Sequence, residues 1–268
     1  MDLKIAGKRA LVTGSSAGIG AAIALRLAQE GVRVVVHGRS EQRAQSMADE
    51  IRGQGGQARA VLGDLATDAG AARVIAESQA AFGGIDILVN NAGGYDARDW
   101  FETTPDTWRT FYEHDVISSV RMIQAFAPAM REAGWGRIIN IATGLAAAPQ
   151  ALMADYAAAK AALVNATVSL AKALAGSGVS ACTVSPGLIH TEGVEKVLRE
   201  AARRFKWSDD WESIQARWFS DVLGSASVKR LGTVHEVADL VAFLASPLAE
   251  YINGANLRID GGLVPSVN

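Results

Sequence analysis

The sequence predicts an α/β protein built on one doubly wound, parallel, seven-stranded sheet with helices on both faces. Three observations predict it. Short runs rich in Val, Ile and Leu recur along the chain, longer stretches of helical period separate them, and the runs are apolar nearly throughout instead of alternating. A strand that is apolar on both faces belongs to a sheet covered on both sides, as in parallel sheets with helical crossovers. Right-handed crossovers then favour the doubly wound arrangement. In such sheets ligands bind beyond the carboxyl ends of the strands, so functional residues are sought there.

In chain order, the strand candidates are "RALVTG" from 9, "VRVVVHG" from 32, "QARAVLGD" from 57, "DILVNNAG" from 86, "RIINIAT" from 137, "VSACTVSPG" from 179 and "ANLRIDGG" from 255. After the first strand, "GIGAAIALRLAQEG" has helical period and stops at Gly31. Before the fifth, "TTPDTWRTFYEHDVISSVRMIQAFAPAM" reads as one long helix with Thr104 as N-cap and Pro105 in the first turn. A helix over 152–175 carries "DYAAAKAAL". From His190 to about Val228 the rhythm breaks. This segment is highly charged yet carries Phe205, Trp207, Trp211, Trp218 and Phe219, and it reads as an insertion within a single domain over 1–268.

Composition narrows the function classes. Hydrophobic residues at 49% and charged residues at 20% suit a globular protein, and a net charge of -2 gives no electrostatic reason to expect nucleic acid or an anionic membrane. A small-molecule partner is expected. The N-terminus has no basic segment leading into an apolar run, and the longest uncharged stretch, 138–154, is interrupted by Asn140, Gly144, Pro149 and Gln150, so a cytoplasmic protein without a membrane span is expected. Cys182 is the single cysteine, which excludes an intrachain disulfide, and His37, His114, His190 and His235 lie too far apart for a metal-ligand pattern.

Two stretches carry chemistry. "TGSSAGIG" sets Gly14, Gly18 and Gly20 at the turn from the first strand into a helix, where absent side chains let the backbone approach a pyrophosphate and helix N-terminal amides stabilise its charge. The same letters match a G-x-S-x-G nucleophile elbow centred on Ser16, but only one strand fits before it, too few for a hydrolase sheet and its oxyanion loop. In "YAAAK", Tyr156 and Lys160 are four apart and share a helix face. A free phenol titrates at about 10 and must fall by roughly three units to act as a base near neutrality. One cation about 4 Å away, at an effective dielectric near 20, supplies an effect of that size.

Together with "NNAG" at 90–93, "PGLIHT" at 186–191 and the closing "YINGANLRIDGG", these motifs make the chain similar to the short-chain dehydrogenase/reductase family, single-domain branch, over essentially its whole length. The resemblance implies a Rossmann-like fold that holds a nicotinamide dinucleotide. The contacts it implies run over Gly14, Ser15, Ser16, Gly18, Ile19 and Gly20, then Asp64 and Leu65 beside the adenine, Asn91, Ala92 and Gly93 after the fourth strand, and Pro186, Gly187, Ile189 and Thr191 after the sixth. NAD-preferring members carry an acidic residue where this chain has Gly38. Arg39 and Ser40 follow and suit a 2′-phosphate, so NADP(H) is expected; with Arg39 merely solvated, NAD(H) remains acceptable.

The resemblance also assigns the chemistry. Tyr156 exchanges a proton with the reacting oxygen while hydride moves between carbon and nicotinamide, and Lys160 is its electrostatic partner and a ribose contact. Thr143 stands where the family has a serine thirteen positions before the tyrosine. It keeps the hydroxyl that polarises the substrate, or it merely closes the fifth strand. Asp115 replaces the asparagine of the family relay and puts that relay in doubt. The insertion closes over the substrate in this family. Here Trp207, Trp211, Ile214 and Trp218 form one helical stripe, which packs on the protein's own core or covers an apolar substrate. Tyr95 and His190 are further substrate candidates at the rim. The expected activity is interconversion of a secondary alcohol and a ketone, apolar or aromatic, by a homodimer or homotetramer. The alternative is a non-catalytic sensor or scaffold that binds the dinucleotide.

Overall fold

The computed structural model describes residues 1–223 and 226–265. Seven strands, β1 (Arg9–Val12), β2 (Arg33–Gly38), β3 (Gln57–Leu62), β4 (Ile87–Asn90), β5 (Gly136–Ile141), β6 (Val179–Pro186) and β7 (Asn256–Ile259), form one sheet in the order β3-β2-β1-β4-β5-β6-β7. Every neighbouring pair is parallel, from Arg33 opposite Gln57 in β2–β3 to Pro186 opposite Ile259 in β6–β7. The winding reverses between β1 and β4, so the loops leaving those two strands part on opposite faces and leave a crevice at their carboxyl ends.

Two apolar layers cover the sheet, and the strand period of two sorts side chains between them. Ala10, Val12, Val34 and Val36 face α1 (Gly18–Gln29), α2 (Glu41–Gly53) and α9 (Val234–Leu244), packing on Ile23, Leu27, Ile51 and Val241. Leu11, Val35, Leu88 and Ile138 point the other way, onto α3 (Asp68–Phe82), α5 (Ser118–Glu132) and α6 (Ala154–Ala173), through Val74, Met122, Phe126 and Leu174. Among the described residues no helix is long and apolar enough to cross a membrane.

Two elements differ from the sequence expectation. The long helix from Thr104 is broken into α4 (Pro105–Tyr112), a π-helical turn (Glu113–Ile117) and α5; the wide turn inserts an extra residue and buries Asp115 and Val116. Thr104 does cap α4, with Pro105 at its start. The charged segment after β6 forms α7 (Glu192–Arg204) and α8 (Trp211–Asp221), which enclose a small core of Leu198, Ala202, Ile214, Phe219 and Leu223. Trp207 lies before α8 instead of continuing its stripe. Trp207, Trp211 and Trp218 pack against this satellite core, which accounts for their spacing. Gly224 and Ser225, which fall in the expected insertion, lie outside the described residues.

Candidate active site

The glycine turn follows β1 and is tied down on three sides. Gly14 and Gly18 have φ of +64° and +58°, which glycine adopts without penalty. A Cβ on Gly14 would lie 2.9 Å from the Cα of Ala92, and one on Gly20 would strike the carbonyl of Gly14, so the β1 and β4 loops touch through missing side chains. Asn91 reaches across to donate to the carbonyls of Thr13 (3.0 Å) and Gly14 (3.1 Å), while Thr13 Oγ1 accepts the amides of Asn91 and Ala92, both at 2.9 Å. Asn91 thus braces the loop with its side chain. Thr191 caps α7 and brings its methyl beside Gly18, closing the cradle from the β6 side.

Sequence reasoning missed His37. Its buried ring accepts the Gly14 N–H at Nδ1 (2.9 Å) and donates from Nε2 to the Gly63 carbonyl (3.1 Å), which fixes the neutral tautomer. Burial lowers its pKa, and the Gly63 hydrogen bond opposes that only in part. Ser15 is consumed locally, its hydroxyl donating to the Val12 carbonyl and accepting the His37 N–H. Asp64 accepts the Ala66 amide at 3.1 Å, and Leu65 is buried in the core.

These residues fit a dinucleotide. The N-terminus of α1 has no side-chain cap and no acidic residue in its first turn, so its amides and dipole are free for an anion. At the end of β2, a Cβ on Gly38 would fall 2.8 Å from Ser16 Oγ and 2.9 Å from Ser16 Cβ. The serine therefore occupies the space an acidic residue would need. Arg39 is exposed and makes no ion pair among the described residues. Ser40 accepts the Arg43 amide as the N-cap of α2.

At the far side of the crevice, α6 is held by a buried polar chain. Asn90 donates to Asn140 (2.8 Å), Asn140 donates to Thr167 (2.8 Å), and Thr167 donates to the Leu163 carbonyl within α6. Two turns earlier on the helix, Lys160 donates to the Ile141 carbonyl (3.0 Å) and pairs with Asp115 Oδ1 at 2.9 Å, both side chains buried. Lys160 Nζ lies 5.9 Å from the Tyr156 ring centroid. Rings of Tyr95 and Phe111 each stand 6.3 Å from that of Tyr156. Phe111, also missed in the sequence, sits one helical turn before Asp115, which was the available signal.

The surroundings of the phenol favour its protonated form. Burial pushes the Tyr156 hydroxyl above the ordinary range, the charge of Asp115 pushes it further, and the hydrogen bond with Thr143 opposes them. Burial likewise raises the Asp115 carboxyl, against the pull of Lys160.

The substrate candidates separate. Tyr95 joins the Tyr156 cluster, and its hydroxyl approaches Gly193 in α7. His190 stacks on Trp211 (5.2 Å) and pairs with Glu195 (3.0 Å), while Trp207 contacts Phe205 and Trp218 in the α7–α8 pair. The ring partners of Trp207 and Trp211 thus lie in the α7–α8 region and not in the Tyr156 cluster. Pro186 ends β6, Gly187 donates to the Ile259 carbonyl, and buried Ile189 bridges to Gly232.

The family model for short chain dehydrogenase matches residues 8–202. An uncharacterized oxidoreductase of Bacillus subtilis, YvaG, is 39% identical over 267 residues, covering 100% of both chains. The 3-oxoacyl-(acyl-carrier-protein) reductase FabG of Escherichia coli is 35% identical over 257 residues, covering 96% of this chain and 97% of its own. Among solved structures, L-sorbose reductase from Gluconobacter frateurii complexed with NADPH and L-sorbose superposes with a TM-score of 0.94 at 32% identity, covering 100% of both chains. With a matched family model, full-length relatives and a shared fold, the chain belongs to the short-chain dehydrogenase family and is an oxidoreductase.

Proposed function

We propose that the protein reduces a ketone to a secondary alcohol with NADPH. The observation that carries this reading is Tyr156 and Lys160 one turn apart on α6, with Thr143 acting on the Tyr156 hydroxyl. When bound, the reduced nicotinamide supplies hydride to the carbonyl carbon. Tyr156 Oη gives its proton to the carbonyl oxygen as negative charge develops there, and Thr143 Oγ1 steadies that oxygen with a hydrogen bond. Gly38, Ser16 and the unpaired Arg39 support the choice of NADPH, as does the NADPH complex of the sorbose reductase.

The rings of Tyr95 and Phe111 lie near the Tyr156 ring, so a ketone with at least one apolar or aromatic face suits the site. The tryptophan stripe no longer argues for such a substrate, because the satellite core accounts for it. A panel of aryl ketones, 3-oxoacyl thioesters and keto-sugars, assayed with NADPH and with NADH, tests the reading. Turnover of one class with NADPH is expected, with Tyr156→Phe lowering kcat about a hundredfold or more. Cofactor binding without turnover on any member, or full activity in Tyr156→Phe, overturns it.

A further inference from the structure

We propose that Asp115 is a positioning residue that pairs with Lys160 and so holds Tyr156 as a neutral phenol, the proton-donating form in ketone reduction. The inference rests on the function proposed above. It starts from geometry. Asp115 Oδ1 lies 2.9 Å from Lys160 Nζ, with the carboxylate fully buried and the lysine nearly so. A second lysine proton is held by the Ile141 carbonyl, which leaves one donor for anything else. The carboxylate also lies against Gly93, where any Cβ would collide with it. The π-helical turn is what carries residue 115 inward to this point, and such turns recur at functional sites.

The consequence follows from charge. Were residue 115 neutral, the ammonium would stand as an isolated cation near the phenol and favour its ionised form. With Asp115 present, the pair is close to neutral, and the carboxylate itself opposes ionisation of Tyr156. The other groups around the phenol do not reverse this. Tyr95, from the β4 loop, also opposes ionisation; Thr143, after β5, favours it through one hydrogen bond; His114 acts on Asp115; and buried Asp155 engages the backbone amide of Tyr156. In reduction the Tyr156 O–H bond breaks as the alcohol O–H forms, with hydride from NADPH completing the two-electron change, and solvent later returns the proton. Oxidation requires the phenolate, which this arrangement suppresses until alkaline pH.

The test is ultraviolet titration of tyrosinate in the protein without cofactor, taken as the difference between Asp115→Asn and Asp115→Asn/Tyr156→Phe, and between wild type and Tyr156→Phe. The Tyr156 midpoint is expected to fall by about one unit or more in Asp115→Asn, because a one-unit shift corresponds to a modest change in charge interaction. The rising limb of the pH profile for alcohol oxidation with NADP+ is expected to move down by the same amount. An unchanged midpoint overturns the inference. If Asp115→Asn does not fold, Asp115→Ser is read in the same way: a Tyr156 midpoint below that of wild type supports the proposal, and an unchanged or higher one overturns it. Full turnover in Tyr156→Phe would instead sink the proposed function, while the tyrosinate titration would still report on Asp115.

Discussion

A Cβ on residue 38 would fall 2.8 Å from Ser16 Oγ and 2.9 Å from Ser16 Cβ, so any side chain at the end of β2 requires Ser16 to shift. An acidic residue there must push Ser16 aside and would then face any 2′-phosphate with like charge, whereas Arg39, beside it and free of ion pairs, can grip the phosphate with two charge-assisted hydrogen bonds. Such bonds contribute about 1.5–3 kcal/mol. Arg39→Ala is therefore expected to lower kcat/KM for NADPH by roughly tenfold to a hundredfold while leaving the value for NADH nearly unchanged, as steady-state kinetics with both cofactors would record. An equal loss for both would mean that Arg39 acts on the loop and not on the phosphate. The residue letters at 38 and 39 already pointed this way. Ser16 as the reason an acid cannot return there was not legible, because the contact joins residues more than twenty positions apart.

At the level of elements, the helix that carries Tyr156 and Lys160 is anchored by polar side chains buried in the sheet. Asn140 is buried in β5 and links Asn90 of β4 to Thr167 of α6. Asn140→Ala leaves the Asn90 amide and the Thr167 hydroxyl short of a partner, each at a cost of about 1–3 kcal/mol, so a loss of about 3 kcal/mol is expected in denaturant unfolding. A loss below about 1 kcal/mol would show that the chain of bonds does not hold α6. The strands and the α6 helix were legible because their signals are local: apolar runs, helical period, an i, i+4 pair. The break at Glu113–Ile117 was not, since a π-helical turn has no period of its own and forms where tertiary contacts, here Asp115 with Lys160, stabilise it. The tryptophan stripe was legible as a pattern but not as a destination, because periodicity names the buried face and leaves open what buries it.

Across the whole molecule, the crevice is assembled from loops of β1, β4, β5 and β6 that belong to the two oppositely wound halves of one sheet. A dinucleotide lying across it touches both halves in the folded state and finds no such surface in the unfolded chain, so binding adds to stability by mass action. At a hundredfold excess over Kd the gain is about 2.7 kcal/mol, several degrees in Tm. With a net charge of -2 the protein as a whole offers no attraction to an anionic cofactor, so the pull must come locally from the amides of α1 and from Arg39. Those two sources differ in their exposure. The amides would hold the pyrophosphate common to both cofactors, whereas exposed Arg39 would meet only the 2′-phosphate, in hydrogen bonds whose charge attraction salt weakens, with a Debye length falling from about 10 Å at 0.1 M to about 3 Å at 1 M. Thermal unfolding is therefore expected to give a larger Tm increase with NADPH than with NADH at low salt, and that difference should shrink as salt rises and vanish in Arg39→Ala. A difference that persists at 1 M salt or in the variant would assign the preference to some other part of the crevice.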